Sequence, residues 1–157
     1  MNDALKRLAP LIQRVSLRDI KLAEASCRGL GRDLGGAGEL DVRFNWSARA
    51  VLRAAGEFSV FAEIEALLVP TGKADADGAR IWGRFELQYV VPQDTELSEG
   101  LLEEFAKSNG VFNAWSYWRE FIQSTLVRMG LPPLALPVYL YRPPVDDAKP
   151  APAKSDQ

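Results

Sequence analysis

The chain has 157 residues, 47% of them apolar and 25% charged, with a formal net charge of −2 at neutral pH. That length supports one domain with a real hydrophobic core, and the near balance of charge argues against a nucleic-acid binder driven by bulk electrostatics. Histidine is absent and cysteine occurs once, as Cys27, which removes Ser-His and Cys-His nucleophilic pairs, His-ligated zinc and an internal disulfide.

Met1 to Pro10 reads as a short amphipathic turn, with Leu5 and Leu8 beside Lys6 and Arg7. It lacks the apolar core of a signal peptide, and no run of about 18 apolar residues follows anywhere, so no membrane span is expected and the expected location is the cytoplasm. Leu11 to Leu22 is the predicted first strand. Val15 and Leu17 share one parity while Ile20 and Leu22 share the other. Because the side-chain period of a strand is two, that phase change predicts a bulge near Arg18-Asp19.

Glu24 to Gly38 is predicted as a long crossover loop, with Cys27 a plain loop cysteine and five glycines (Gly29, Gly31, Gly35, Gly36 and Gly38). It is not a phosphate cradle: position 34 is leucine, strand pattern rather than helix follows, and Gly72-Lys73 is followed by Ala74. Glu39 to Ala54 is the second strand, with Leu40, Val42, Phe44 and Trp46 alternating with Asp41, Arg43, Asn45 and Ser47. Glu57 to Pro70 and Ala79 to Val91 alternate in the same way, joined by the polar hairpin loop Thr71 to Gly78. Three long strands, each apolar on one face, form an antiparallel meander covered on one side.

Pro92 to Glu99 is a turn. Ser98 with Leu101, Leu102 and Phe105 makes a short helix ending near Asn109-Gly110. A long helix from about Val111 to Met129 follows, roughly 28 Å in length. Val111, Trp115, Trp118, Ile122 and Met129, with Leu126 beside them, fall at helical spacing. Asn113 is placed to cap the first turn if the helix begins a residue or two late, and Gly130 supplies the stop. An apolar, proline-punctuated arm runs from Leu131 to Val138, and residues 143–157 are expected to be a disordered Pro/Ala-rich tail after a single domain over 1–142. The fold class is α+β, a two-layer sandwich of four strands and two C-terminal helices.

Sites for chemistry are few. Glu63 and Glu65 lie on one strand face about 7 Å apart, a spacing open to acid-base work but more often plain solubilising charge. Asp75 and Asp77 share a loop without further ligands nearby. No catalytic residue, metal or cofactor is expected, and the chain reads as a non-enzyme. Aromatics are more telling. Phe112, Trp115, Tyr117, Trp118, Phe121 and Ile122 cover nearly the whole circumference of the long helix, while Phe61 and Trp82 project from the non-core parity of their strands. One helix cannot bury all of these on a single sheet, so the excess face must meet a second subunit, a client chain or both.

The same region carries a family resemblance. Tyr117-Trp118-Arg119-Glu120, Ile122, Ser124, Arg128, Pro132, Leu134, Leu136, Pro137 and Val138 are similar to the closing signature of the SecB family of protein-export chaperones. That signature runs roughly Tyr-x-Arg-Glu, a helix, Arg-Gly-x-Phe-Pro, then Leu-x-Leu-x-Pro-Val. Ile12-Gln13-Arg14-Val15 and Asp19-Ile20 resemble the family's opening strand. The resemblance implies a sheet in the order 1-4-3-2 with both helices on one face, a homotetramer built as a dimer of dimers, and ATP-independent holding of unfolded proteins in apolar grooves. It places Trp115, Trp118, Phe121, Phe61, Trp82, Leu30 and Leu34 in a client-binding groove. Tyr117, Arg119, Glu120, Arg128, Pro132, Leu134 and Pro137 become structural signature residues, and Asp19, Glu24 and Glu86 candidate acids for docking on the export motor ATPase. This chain departs from the family in its aromatic-poor crossover, in Ala23 and Arg84 at two acid positions, and in its proline-rich tail. The expected function is therefore a SecB-like holdase, for secretory precursors or for a labile partner such as an antitoxin. The alternative is a structural or ligand-binding α+β domain that only oligomerises.

Overall fold

Alternation in the sequence becomes one antiparallel sheet in a computed structural model, which describes residues 3–29, 34, 39–75, 78–131 and 133–136. The strands are β1 (Ser16–Arg28), β2 (Leu40–Ala54), β3 (Glu57–Pro70) and β4 (Ala79–Val90), in the order β1-β4-β3-β2. The crossover therefore carries the chain from one edge of the sheet to the other, leaving β1 and β2 as edge strands. β3 and β4 are central, and their even and odd residues respectively (Phe58, Val60, Ala62, Ile64; Ile81, Phe85, Leu87, Tyr89) are buried on the helix side. Phe58 stacks on Tyr89 at 5.2 Å between ring centroids, and Phe105 meets both edge-on. Burial pushes the Tyr89 phenol up to about 12 despite a hydrogen bond from Asn113, so it stays protonated.

Two N-terminal expectations are corrected. The turn over Met1 to Pro10 and the strand from Leu11 give way to a helix, α1 (Asp3–Arg14). Leu8 and Leu11, three apart, fall on one face and are buried, so tertiary packing overrides the strand-like reading of LIQRV. β1 then starts later and extends to Arg28, taking Glu24 to Arg28, Cys27 included, out of the expected loop. Pairing from Glu24↔Arg84 to Arg28↔Arg80 occupies that backbone. β1 is exposed at almost every position, so no burial alternation marked its true extent. The bulge expected near Arg18-Asp19 is present as a register shift between Leu17 and Asp19, and a second follows between Leu22 and Glu24.

The C-terminal helices form one rod. α2 (Glu99–Phe105) starts at Ser98, whose Oγ accepts from the Leu101 N–H at 3.3 Å. It passes through a π-helical stretch, Ala106–Gly110, into α3 (Val111–Arg128). The expected break at Asn109-Gly110 does not occur, because Gly110 keeps a right-handed helical conformation. Its value there is close approach: a Cβ would lie 2.6 Å from Val60 Cγ1 on β3. Asn113 is consequently no cap; its Nδ2 donates to the Tyr89 hydroxyl at 2.9 Å. The rod stops where expected, with Gly130 at φ +73° and the Leu131 N–H donating to the Leu126 carbonyl at 2.9 Å. Met129 leaves the apolar stripe and is half exposed. The arm folds back along α3, Gln123 Nε2 donating to the Leu134 carbonyl at 3.3 Å, with Leu136 buried.

Candidate functional site

The residues expected in one groove are divided by the sheet. Trp115 and Trp118 are only 6% and 0% exposed and belong to the core. Trp115 meets Phe44 of β2 edge-on at 5.6 Å, and Trp118 lies over Gly83 of β4, where an added Cβ would stand 3.4 Å from its ring. These tryptophans seat the helix on the sheet, and contact with a ligand requires that interface to open. Leu34 is also buried in the core, Phe121 is half-buried against Trp118 at 5.7 Å, and Leu30 lies outside the described residues.

Phe61 and Trp82 point the other way, onto the outer face. Arg49 and Arg53 lie 4.7 and 5.5 Å from the Phe61 ring centroid, and Arg84 lies 5.3 Å from that of Trp82. Cation–π contact covers both rings. They cannot share a surface with Phe121 or Leu34, because successive strand residues face opposite sides of the sheet.

That outer face is also where the expected docking acids stand. Glu24 pairs with Arg84 at 2.9 Å, and Arg84 also holds Glu63 at 2.9 Å. Glu86 takes Lys21 at 3.2 Å, Arg53 at 3.4 Å and a hydrogen bond from Ser59 Oγ at 3.1 Å. Burial alone would raise the Glu86 carboxyl, but the hydrogen bonds from Lys21 and Ser59 and the Lys21 charge outweigh it and hold it below its ordinary value. Glu65 pairs with Arg80 at 2.8 Å and Asp75 with Arg43 at 2.9 Å. Asp19 is exposed. Two of the three candidate acids are thus neutralised within the sheet, as are both members of the Glu63/Glu65 pair. Asp77 lies outside the described residues. Among the described residues, no three metal-ligating side chains come together, and no helix is long and apolar enough to cross a membrane.

Apolar surface remains on the helix side, along both edges. On the β2 flank, Trp46, Leu52 (54% exposed) and Phe112 (56%) reach solvent. An open hollow of about 500 Å³ between β2 and α2 is lined there by Ala48, Ala50, Leu52, Leu97 and Leu102 together with the charged Arg49, Glu99 and Glu103. Trp46 and Leu52 were not among the expected site residues. Both lie on the core parity of their strand, and only the position of β2 at the sheet edge exposes them. On the β1 flank, Leu17, Leu22 and Tyr117 are 42%, 43% and 50% exposed. The signature residues Arg119, Glu120 and Arg128 gather with Ser116, Gln123 and Pro133 around a second hollow of about 680 Å³ on the outer side of α3. Leu134 is half-buried on the arm, while Pro132 and Pro137 lie outside the described residues.

No family model and no curated protein matches the sequence. Solved structures do. The chain resembles the Mycobacterium tuberculosis SecB-like chaperone Rv1957, solved in complex with a ChAD peptide from the Rv1956 HigA1 antitoxin, with a TM-score of 0.77 at 22% identity over 88% of this chain and 100% of that one. A Streptococcus agalactiae protein of unknown function overlaps 78% of this chain and 96% of its own, with 13% identity and a TM-score of 0.48. With the strand order β1-β4-β3-β2 and the C-terminal helical rod on one face, the fold of this chain is that of a SecB-like chaperone.

Proposed function

We propose that the chain is a nucleotide-independent, non-enzymatic holdase that binds unfolded or labile polypeptides on the apolar β2 flank. The observation that carries this reading is the hollow beside β2, with Leu52 in its wall and Trp46 and Phe112 exposed on the same flank. An unfolded client exposes apolar side chains that a folded one hides, and such a surface retains them without chemistry. The antitoxin peptide bound by the structurally similar chaperone supports polypeptide clients.

Two observations favour a dedicated client, such as a labile antitoxin, over delivery to the export motor. Glu24 and Glu86 are engaged by Arg84, Lys21 and Arg53, while Asp19 of the expected acidic patch is exposed and has no ion-pair partner among the described residues. The structural neighbour's ligand is itself an antitoxin segment. Work of this kind belongs in the cytoplasm, where new chains appear. The tetramer implied by the resemblance would draw on the β1 flank, whose Leu17 and Leu22 are otherwise left to water.

Light scattering tests the reading. A chemically unfolded client is diluted into buffer with and without the protein, in the absence of nucleotide. Suppression of aggregation that saturates at a fixed stoichiometry is the expected result. A folded protein that leaves aggregation unchanged refutes the holdase and favours an oligomeric domain with a structural or ligand-binding role.

A further inference from the structure

α1 is weakly self-sufficient. Its 12 residues are near the length at which an isolated helix is marginal in water, and Pro10 lies inside it. That proline removes one N–H and crowds the carbonyl four residues earlier. α1 persists because α2 holds it: Leu8 and Leu11 are buried, Arg7 Nη2 reaches Glu104 at 3.3 Å, and Arg14 pairs with Asp94. Both ion pairs are largely exposed and therefore weak. The junction is also imperfectly closed, with a hollow of about 530 Å³ where Arg7 faces Ser98, Gly100 and Leu101.

α1 covers the side of α2 that carries Leu101 and Glu104. The opposite side of the same helix, through Leu102 and Glu103, lines the hollow beside β2. A single residue, Val15, separates α1 from β1, and its N–H donates to the Leu11 carbonyl at 2.9 Å. Val15 is therefore the connection at which α1 would have to turn away from the sheet. Leu8 and Leu11 belong to the same core cluster as Leu102 and Phe105, so lifting α1 bares apolar surface continuous with α2.

We propose that α1 is a lid that occupies part of the polypeptide-binding surface in the resting protein and pivots away when a client binds. This rests on the holdase reading. Leu8 and Leu11 fill, from within the chain, the place that a client's apolar side chains take. The cost of opening lowers apparent affinity by the fraction of molecules in which the lid is closed.

Two full-length variants move the lid in opposite directions without touching the β2 hollow. R7E/R14E sets like charges against Glu104 and Asp94, while P10A restores the missing N–H and firms the helix. Client affinity is read by fluorescence anisotropy with labelled, carboxymethylated α-lactalbumin, a permanently unfolded probe. Lid opening is read by hydrogen exchange of α1 amides. R7E/R14E is expected to bind the probe roughly three- to tenfold more tightly, with faster α1 exchange, and P10A to bind more weakly, with slower exchange. Altered α1 exchange with unchanged affinity in both variants overturns the lid alone. Absence of probe binding in the wild type and both variants overturns the holdase reading and the lid with it.

Discussion

Glu86 joins the four strands through one carboxylate: Lys21 from β1, Ser59 from β3 and Arg53 from β2 converge on it. Ser59 is buried and accepts from Arg53 Nε at 3.2 Å, so the knot is closed. Because the folded carboxyl titrates below its ordinary value of 4.5, its contribution is complete above that value and is lost as pH falls through the lowered one. Urea denaturation across pH 3 to 7 should show the wild type losing stability on acidification more steeply than E86Q. E86A should cost about 1–3 kcal/mol at neutral pH, because the Ser59 hydroxyl and two cations lose their acceptor. Trp118 and Phe112 form a contrasting pair. W118A should cost about 3–5 kcal/mol by opening a core cavity. If the β2 flank binds clients as proposed, F112A should change stability by less than about 1 kcal/mol while weakening that binding, because Phe112 is 56% exposed. A binding loss in W118A alone, with F112A unaffected, would move the client site away from the β2 flank.

At the level of elements, the rod α2–α3 depends on a residue that propensity would count as a breaker. Gly110 is helical and pressed against Val60. G110A should gain helix propensity yet destabilise the protein by about 1–3 kcal/mol, as overpacking outweighs the propensity gain. Increased stability by thermal melting would mean that the rod can lift off β3 at little cost. Legibility also follows the elements. β3 and β4 were readable to within a residue because a buried helix-side face alternates with a half-buried outer face over most of their length. β1 was not, since it is exposed on both faces and its extension over Glu24 to Arg28 is written only in its pairing with β4. α1 was misread because its commitment lies in tertiary contacts: Leu8 and Leu11 enter the core, and Arg7 meets Glu104 of α2, 97 positions away.

For the whole molecule, the two edges differ in what they present. β1 carries two register shifts, which twist an edge and disfavour indiscriminate strand addition, beside exposed Leu17 and Leu22. β2 keeps a regular register from Leu40 to Leu52 and borders the hollow. If β1 serves self-association and β2 clients, L17E/L22E should shift the mass measured by multi-angle light scattering from that of four chains toward fewer, leaving probe binding per chain intact. A wild type of single-chain mass would remove the tetramer expectation.

The sequence by itself determined the fold class, the strands of the meander, the helix stop at Gly130 and the resemblance to SecB chaperones. Each of these is local in character, resting on period, turn chemistry or a contiguous signature. Tertiary structure decided which apolar residues are surface. Trp115 and Trp118 read as candidates for a groove but became core when the rod settled on Phe44 and Gly83. Trp46 alternates as an apolar position of its strand, yet it and Leu52 stay at the surface because β2 is an edge. Periodicity reports which side of an element is apolar; only the arrangement of neighbours, fixed by pairings far apart in the chain, determines whether that side is covered.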